Sequence, residues 1–382
     1  MKVSGSGSVV VIKVTQTYIM LCTVLVYIAA LASFESANAL TVYTSNGPIT
    51  GHAAPNVSDV IEYLGIPYAK PPIGNLRFAP PQPLTSTSPY DAIKFGHDCP
   101  LTASKLVNYP GFTPQAQRIV NYFASAAGTP QSEDCLTLNI WAKPTPKCPK
   151  SQQPVLVFFY GGRFTIGNTN TPFYNGKHLA SAQDLVVVTV NYRLNIFGFP
   201  GAPGQPQNLG LRDQRDAVEW VRDNIAAFGG DTSKITIMGQ SSGGVGVDYW
   251  AYAYAKDPIA HALIAHSGTA LSFPMNSKAV QQGNWNAVVA AVNCSSPNNT
   301  SATTNITSPS TMACMRAILW QTLLSAATTL RPAKSNSPLR SIPAFCPTPD
   351  NTLVFAPSTY LTAPPSPLPI LLGTAHNENS YY

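Results

Sequence analysis

The chain is 382 residues long, 45% hydrophobic but only 10% charged, with a formal net charge of +6. High hydrophobicity with so little charge excludes a disordered chain, and 35 prolines beside 26 glycines without a G-X-Y period exclude collagen. The positive charge forms no Lys/Arg run, so no nucleic-acid partner is expected.

Lys2 and Lys13 precede an apolar stretch at residues 18–34 that ends near Ala37-Asn38-Ala39. A basic region, an apolar core and an A-x-A site make residues 1–39 a predicted secretory signal peptide, with the mature chain starting at Leu40. The alternative is an uncleaved membrane anchor, because residues 18–34 just reach the length of a span. Sequons at Asn56, Asn293, Asn298, Asn299 and Asn305 agree with export. Removing Cys22 from the seven cysteines leaves an even set of six, in a compartment where disulfides persist. No C-x-x-C pair is present, and neither a metal nor a cofactor is expected.

In chain order, the first candidate helix lies between Cys99 and Cys135. Thr113 is its predicted N-cap, Pro114 opens its first turn and Gly128 follows its end. Apolar Ile119, Val120, Tyr122, Phe123 and Ala126 alternate with polar Gln115, Gln117, Arg118 and Asn121, which gives two faces. Strand-like runs follow at 136–141, 155–160, 185–190, 235–238, 262–265 and 369–373. Several are apolar throughout, as strands covered on both faces must be. Between them, residues 211–228 space Leu211, Val218, Val221 and Ile225 for a helix that stops at Gly229-Gly230. The alternation predicts an α/β fold: a mostly parallel twisted sheet with helices on both faces.

Two turns carry chemistry. Gly239-Gln240-Ser241-Ser242-Gly243 directly follows an apolar strand and opens a helical stretch over 241–255. This is the strand–turn–helix setting in which a strained elbow lifts a serine Oγ clear of a sheet. The helix N-terminus places N–H groups and a positive partial charge beside it. The second turn is Gly161-Gly162, again at the end of a buried strand. Acyl transfer needs N–H donors aimed at a developing oxyanion, and glycines let a backbone come that close.

Several stretches share one likeness: YLGIPYAKPPIGNLRF (63–78), SEDCLTLNIW (132–141), PVLVFFYGGRF (154–164), VVVTVNYRLNIFGF (186–199), NLGLRDQRDAVEWVRDNIAAFGGD (208–231), GQSSGG (239–244) and PILLGTAHNENSYY (369–382). In this order they resemble the type-B carboxylesterase/lipase family, the cholinesterase-like branch of the α/β-hydrolases. The resemblance implies that Ser241 is the nucleophile and Glu378 the acid that orients a catalytic histidine. It implies oxyanion donors at the N–H groups of Gly162, Arg163 and Ser242, and a supporting serine at Ser267. It also implies a structural ion pair between Arg77 and Glu133 and disulfides Cys99–Cys135 and Cys294–Cys314. Cys148 and Cys346 are left without an assigned pairing.

Three positions depart from the family pattern. Arg163 stands where many members have a third glycine, so a long cationic side chain is expected to narrow the acyl pocket. Gln240 replaces a common glutamate and removes a charge that favours cationic substrates. Ser242 replaces alanine, which is expected to matter little because only its backbone is used. A fourth departure is an absence. Such hydrolases order the triad serine, acid, histidine, whereas His52, His97, His178, His261, His266 and His376 all precede Glu378. The expectation is a hydrolase domain over 40–382 that is incomplete at its C-terminus and inactive as it stands, with His266 and His376 as substitute bases to check.

The preferred reading is a secreted ester hydrolase acting through an acyl-enzyme on a small-molecule or lipid ester. A non-catalytic cholinesterase-like binding or adhesion protein and a membrane-tethered interaction module are the alternatives. In the family's lipases the loop corresponding to 99–135 carries a lid that meets lipid. The helix after Thr113 is therefore either such a lid or a surface helix packed on the core.

Overall fold

The computed structural model describes residues 40–103, 110–123, 129–144, 152–272, 275–295, 309–330, 342–363 and 365–376. Its strands are β1 (Thr41–Thr44), β2 (Gly47–Thr50), β3 (His52–Ala53), β4 (Ile61–Pro67), β5 (Tyr90–Asp91), β6 (Thr137–Ala142), β7 (Gln153–Phe159), β8 (Val186–Val190), β9 (Gly230–Gln240), β10 (Ala262–His266) and β11 (Ile370–Gly373). A small sheet joins β1, β2 and β5. The remaining strands form one sheet in the order β11-β10-β9-β7-β8-β6-β4-β3. From β11 to β8 every pairing is parallel, and from β8 to β3 every pairing is antiparallel.

The mixed sheet follows from composition. Every residue of β8, Val186–Val190, is buried, because its β-branched side chains are covered on both faces. The expected runs at 136–141, 155–160, 185–190, 235–238, 262–265 and 369–373 correspond to β6 to β11, with bounds that differ by a few residues. Strand β9 is much longer than expected because Gly230–Lys234, polar in sequence, extends it. The expected helix over 211–228 is an α-helix at Leu209–Asn224, and Ile225–Phe228 tightens into a 3-10 turn. Gly229 then ends it in the left-handed region, φ 85°.

Leu211, Val218, Val221 and Ile225 are buried in the main core together with Val155, Val157 and Phe159 of β7 and Ile235 and Ile237 of β9. A second core gathers Phe78, Phe197, Trp285, Val288, Met315 and Leu323 under helices Lys278–Ala291, Pro309–Ala317 and Trp320–Thr329. The disulfide Cys294–Cys314 closes the segment between the first two of these helices, and Cys99–Cys135 closes the segment before β6. Cys346 is a free, buried thiol, while Cys148 lies outside the described residues.

Arg77 and Glu133 form a bidentate pair, Nε to Oε1 at 2.6 Å and Nη2 to Oε2 at 2.5 Å, with both side chains buried. The remaining donor, Nη1, reaches the carbonyl oxygens of Met315, Arg316 and Ile318. These are carbonyls that the end of helix Pro309–Ala317 leaves unpaired, and a cation there opposes the negative end of the helix dipole. The ion pair thereby fastens the second core to the strand side of the molecule.

The amphipathic helix forms at Pro114–Phe123, with Thr113 Oγ1 accepting the Ala116 N–H at 3.2 Å. None of the side chains described in it is buried, and Ile119 is 44% exposed. Its apolar side meets the body through Tyr122, which sets its ring edge-on to Phe173, itself exposed. Gly128 lies outside the described residues.

Candidate active site

Strand β9 ends at Gln240 and the helix Ser242–Ala253 begins two residues later, which leaves Ser241 to make the whole turn. Its backbone sits at φ 54° and ψ −122°, a region that costs a non-glycine residue about 1–3 kcal/mol. Neighbouring structure holds it there. The Ser241 N–H donates to the His266 carbonyl at 2.7 Å, and the Ser241 carbonyl accepts from the Val245 N–H at 2.9 Å. The flanking glycines have no alternative: a Cβ on Gly239 would lie 2.2 Å from the Gly243 oxygen, and one on Gly243 would lie 2.1 Å from the Phe159 oxygen. Ser241 is 7% exposed.

The second turn lies directly against this elbow. A Cβ on Gly161 would come within 2.8 Å of the Ser241 Cβ, so no side chain fits between the loop after β7 and the serine. Gly162 has φ 126°, and its carbonyl accepts from the N–H groups of Thr165 and Ile166, each at 3.0 Å. That carbonyl is thereby tied back into its own loop. The Phe164 N–H donates to Ser242 Oγ at 3.2 Å, and the Phe164 carbonyl accepts from the Asn195 N–H at 2.8 Å.

The expectation that Ser242 contributes only its backbone is therefore corrected. Its hydroxyl is buried and bonded to the very loop that holds Gly162 and Arg163. The substitution of serine for alanine was visible in the sequence, but its partner, 78 residues away, was not.

Arg163 occupies the positive-φ region at 59° and is partly buried. Its charge acts on the Cys346 thiol. Burial pushes that thiol up to about 11, against the opposing effects of a hydrogen bond with the Asn276 backbone and of the Arg163 charge. A thiol held protonated in this way is a packing group rather than a nucleophile. Gln240 leaves its Oε1 buried without a hydrogen bond among the described residues.

Ser267 is at φ 53° and donates its N–H to the Gly373 carbonyl of β11 at 2.7 Å. The next residue touches the elbow, since a Cβ on Gly268 would stand 2.0 Å from the Ser241 oxygen. His266 ends β10, in register with Gln240 on one side and Gly373 on the other. His376 is exposed, and Glu378 lies outside the described residues. The structure thus brings Ser241, Ser242, Gly162, Arg163 and the turn after His266 to one end of the parallel strands. That is where ligands bind in open α/β sheets.

Comparison with known proteins decides the family. The profile of the carboxylesterase family matches residues 38–382. The chain belongs to that family. It is 35% identical over 343 residues to a chlorogenic acid esterase of Aspergillus niger, covering 88% of this chain and 62% of that protein. It is 38% identical to secreted lipase 5 of Gibberella zeae, covering 62% of this chain and 46% of the lipase. It is 37% identical to a cholinesterase of Mus musculus, covering 67% of this chain and 41% of that enzyme. The chain therefore spans less than two thirds of the length of each of these relatives. The eight-stranded sheet, with its parallel half carrying the elbow, is the α/β-hydrolase fold of a carboxylesterase.

Proposed function

We propose that the protein is an exported serine esterase of the carboxylesterase/lipase type. Ser241 Oγ attacks the carbonyl carbon of a small-molecule or lipid ester, and its proton passes to an imidazole oriented by Glu378. The carbonyl oxygen becomes an oxyanion that accepts from the N–H groups of Gly162, Arg163 and Ser242. The alcohol leaves with the proton. Water then attacks the acyl-serine and releases the acid and the free Ser241 hydroxyl. Serine chemistry of this kind needs neither metal nor cofactor.

One observation carries the reading: a buried serine in a strained positive-φ turn, with side-chain-free Gly161 packed against its Cβ. Strain of that kind persists where surrounding structure imposes it, and it is concentrated at active sites. Ser267, in the turn that abuts the elbow, supports the same end of the sheet. Gln240 puts a neutral amide directly before the nucleophile and Arg163 adds a cation to the glycine loop packed against it, a charge balance that disfavours cationic choline-type esters. The signal-peptide pattern of residues 1–39, the sequons, two closed disulfides and a secreted relative support an extracellular location. The helix Pro114–Phe123 supports contact with lipid, since its apolar side is only half covered.

Ser241→Ala is expected to abolish hydrolysis of short-chain aryl esters, a loss of several orders of magnitude, with thermal unfolding little changed. Retained turnover overturns the choice of nucleophile. Tight ester binding by a protein that never turns over would favour a binding protein instead.

A further inference from the structure

The segment Gly161–Gly162–Arg163 bears two of the three proposed oxyanion donors, while the third, the Ser242 N–H, belongs to the elbow. All three must converge on one oxygen, although they come from different ends of the chain. Sites of this kind work when the donors are held within about 0.5 Å of their target geometry. What sets the distance between the two halves is therefore a chemical question.

The answer lies in two buried side chains. At one end of the segment, the Phe164 N–H donates to Ser242 Oγ at 3.2 Å. At the other end, the Tyr192 hydroxyl donates to the Tyr160 carbonyl at 2.6 Å. A phenol has one proton, and this bond commits it. The two bonds hold the segment at both of its ends.

Tyr192 is itself immobilised. Its ring stacks on Tyr160 with centroids 4.5 Å apart, and the Tyr160 hydroxyl donates back to the Tyr192 carbonyl at 3.1 Å. Both tyrosines are fully buried, so water does not compete for these bonds. Hydrogen bonds chained in a low-dielectric interior also strengthen one another.

We infer that Ser242 and Tyr192 are positioning residues for the oxyanion hole: their hydroxyls tie the two ends of Gly161–Gly162–Arg163, at Phe164 and at Tyr160, and fix its donors relative to the Ser242 N–H. Ser242 thereby serves twice, with its backbone as donor and with its side chain as a strut that places the other two. The inference rests on the reading of Ser241 as nucleophile, but the two ties themselves are a property of the fold.

The test uses the protein with Ser242→Ala, Tyr192→Phe, the double variant and Ser242→Thr. With 4-nitrophenyl butyrate, each single deletion is expected to lower kcat about 10- to 100-fold, somewhat less than losing an oxyanion donor outright. KM should stay within about twofold, because the ground-state ester makes little use of the oxyanion donors. The double variant should lose more than either single one, since each deletion frees a different end of the same segment. Ser242→Thr, which keeps the hydroxyl, should restore most of the rate. Unchanged kcat, a loss confined to KM, or a threonine variant no better than alanine overturns the inference. Tyr192→Phe removes one atom, and so it keeps the test open if Ser242→Ala fails to fold. Amide exchange supplies a readout that needs no turnover: peptides spanning 160–167 should lose protection in both single variants while those from 209–224 do not. If the unaltered protein neither hydrolyses esters nor takes a fluorophosphonate, the esterase reading fails and exchange at 160–167 alone decides whether the two ties hold the segment. Unaltered exchange there in the variants overturns the inference.

Discussion

Gln240 and Arg163 are the two departures from the family pattern that change the formal charge of the elbow and of the glycine loop. Arg163 lies between the glycine turn and Phe164, and Gln240 stands directly before Ser241 with an unbonded Oε1. Two unit charges about 5 Å apart at an effective dielectric near 20 interact by about 3 kcal/mol. A choline-type ester is therefore expected to have a kcat/KM at least about tenfold below that of its neutral isostere, a difference of about 1.4 kcal/mol. Gln240→Glu should narrow the gap. Equal rates on both esters in the unaltered protein would remove charge as a determinant. A second residue matters for stability. Burial, aided by the Asp213 and Glu219 carboxylates and opposed by Arg193 and Arg215, pushes Asp216 up to about 7. In the unfolded chain an aspartate titrates near about 3.9, so the native state binds the extra proton between the two values. Stability is accordingly greatest at the acid end and falls as pH rises towards 7. Thermal melts between pH 5 and pH 7.5 should show that decline, and Asp216→Asn should flatten it. Parallel declines in both proteins would contradict the assignment.

Among the elements, the helix Pro114–Phe123 is the one whose form was legible and whose role was not. Its cap and its two faces follow from Thr113, Pro114 and the apolar spacing. What its apolar side touches depends on Phe173, which no local pattern links to Tyr122. As a lid, it should respond to Ile119→Asp with a much larger loss on emulsified long-chain esters than on soluble short ones. The melting temperature should barely move, because Ile119 is already 44% exposed. Equal losses on both substrates would return the helix to a packing role. The same contrast runs through the sheet. Strands β6 to β11 are read from β-branched runs of local origin. Strands β1, β2, β3 and β5 are short, and β4, though buried, is set by a distant partner, pairing with β6 across a register shift between Tyr63 and Ile66. The elbow was legible because its glycines and serine are adjacent in sequence. The ties from Ser242 to Phe164 and from Tyr192 to Tyr160 were not, because they join three separate segments.

At the scale of the whole molecule, the sheet's parallel half carries the site and ends, among the described residues, at β11. There Leu371 and Leu372 are 61% and 60% exposed, and an apolar strand with one open edge pairs readily with other chains. A polypeptide of residues 40–382 is therefore expected to self-associate, and Leu371→Lys should shift it towards monomer in light scattering. No shift would mean that association occurs elsewhere. The most direct test of the central claim, that Ser241 is an activated nucleophile facing an oxyanion hole, is chemical labelling of the protein. Treating it with a fluorophosphonate and locating the adduct by peptide mass spectrometry tests both features at once, because the reaction needs an activated hydroxyl and donors for the phosphoryl oxygen. The account predicts a single adduct on Ser241, lost in Ser241→Ala and formed more slowly in Ser242→Ala. An unlabelled protein, or an adduct on any other residue, would contradict it.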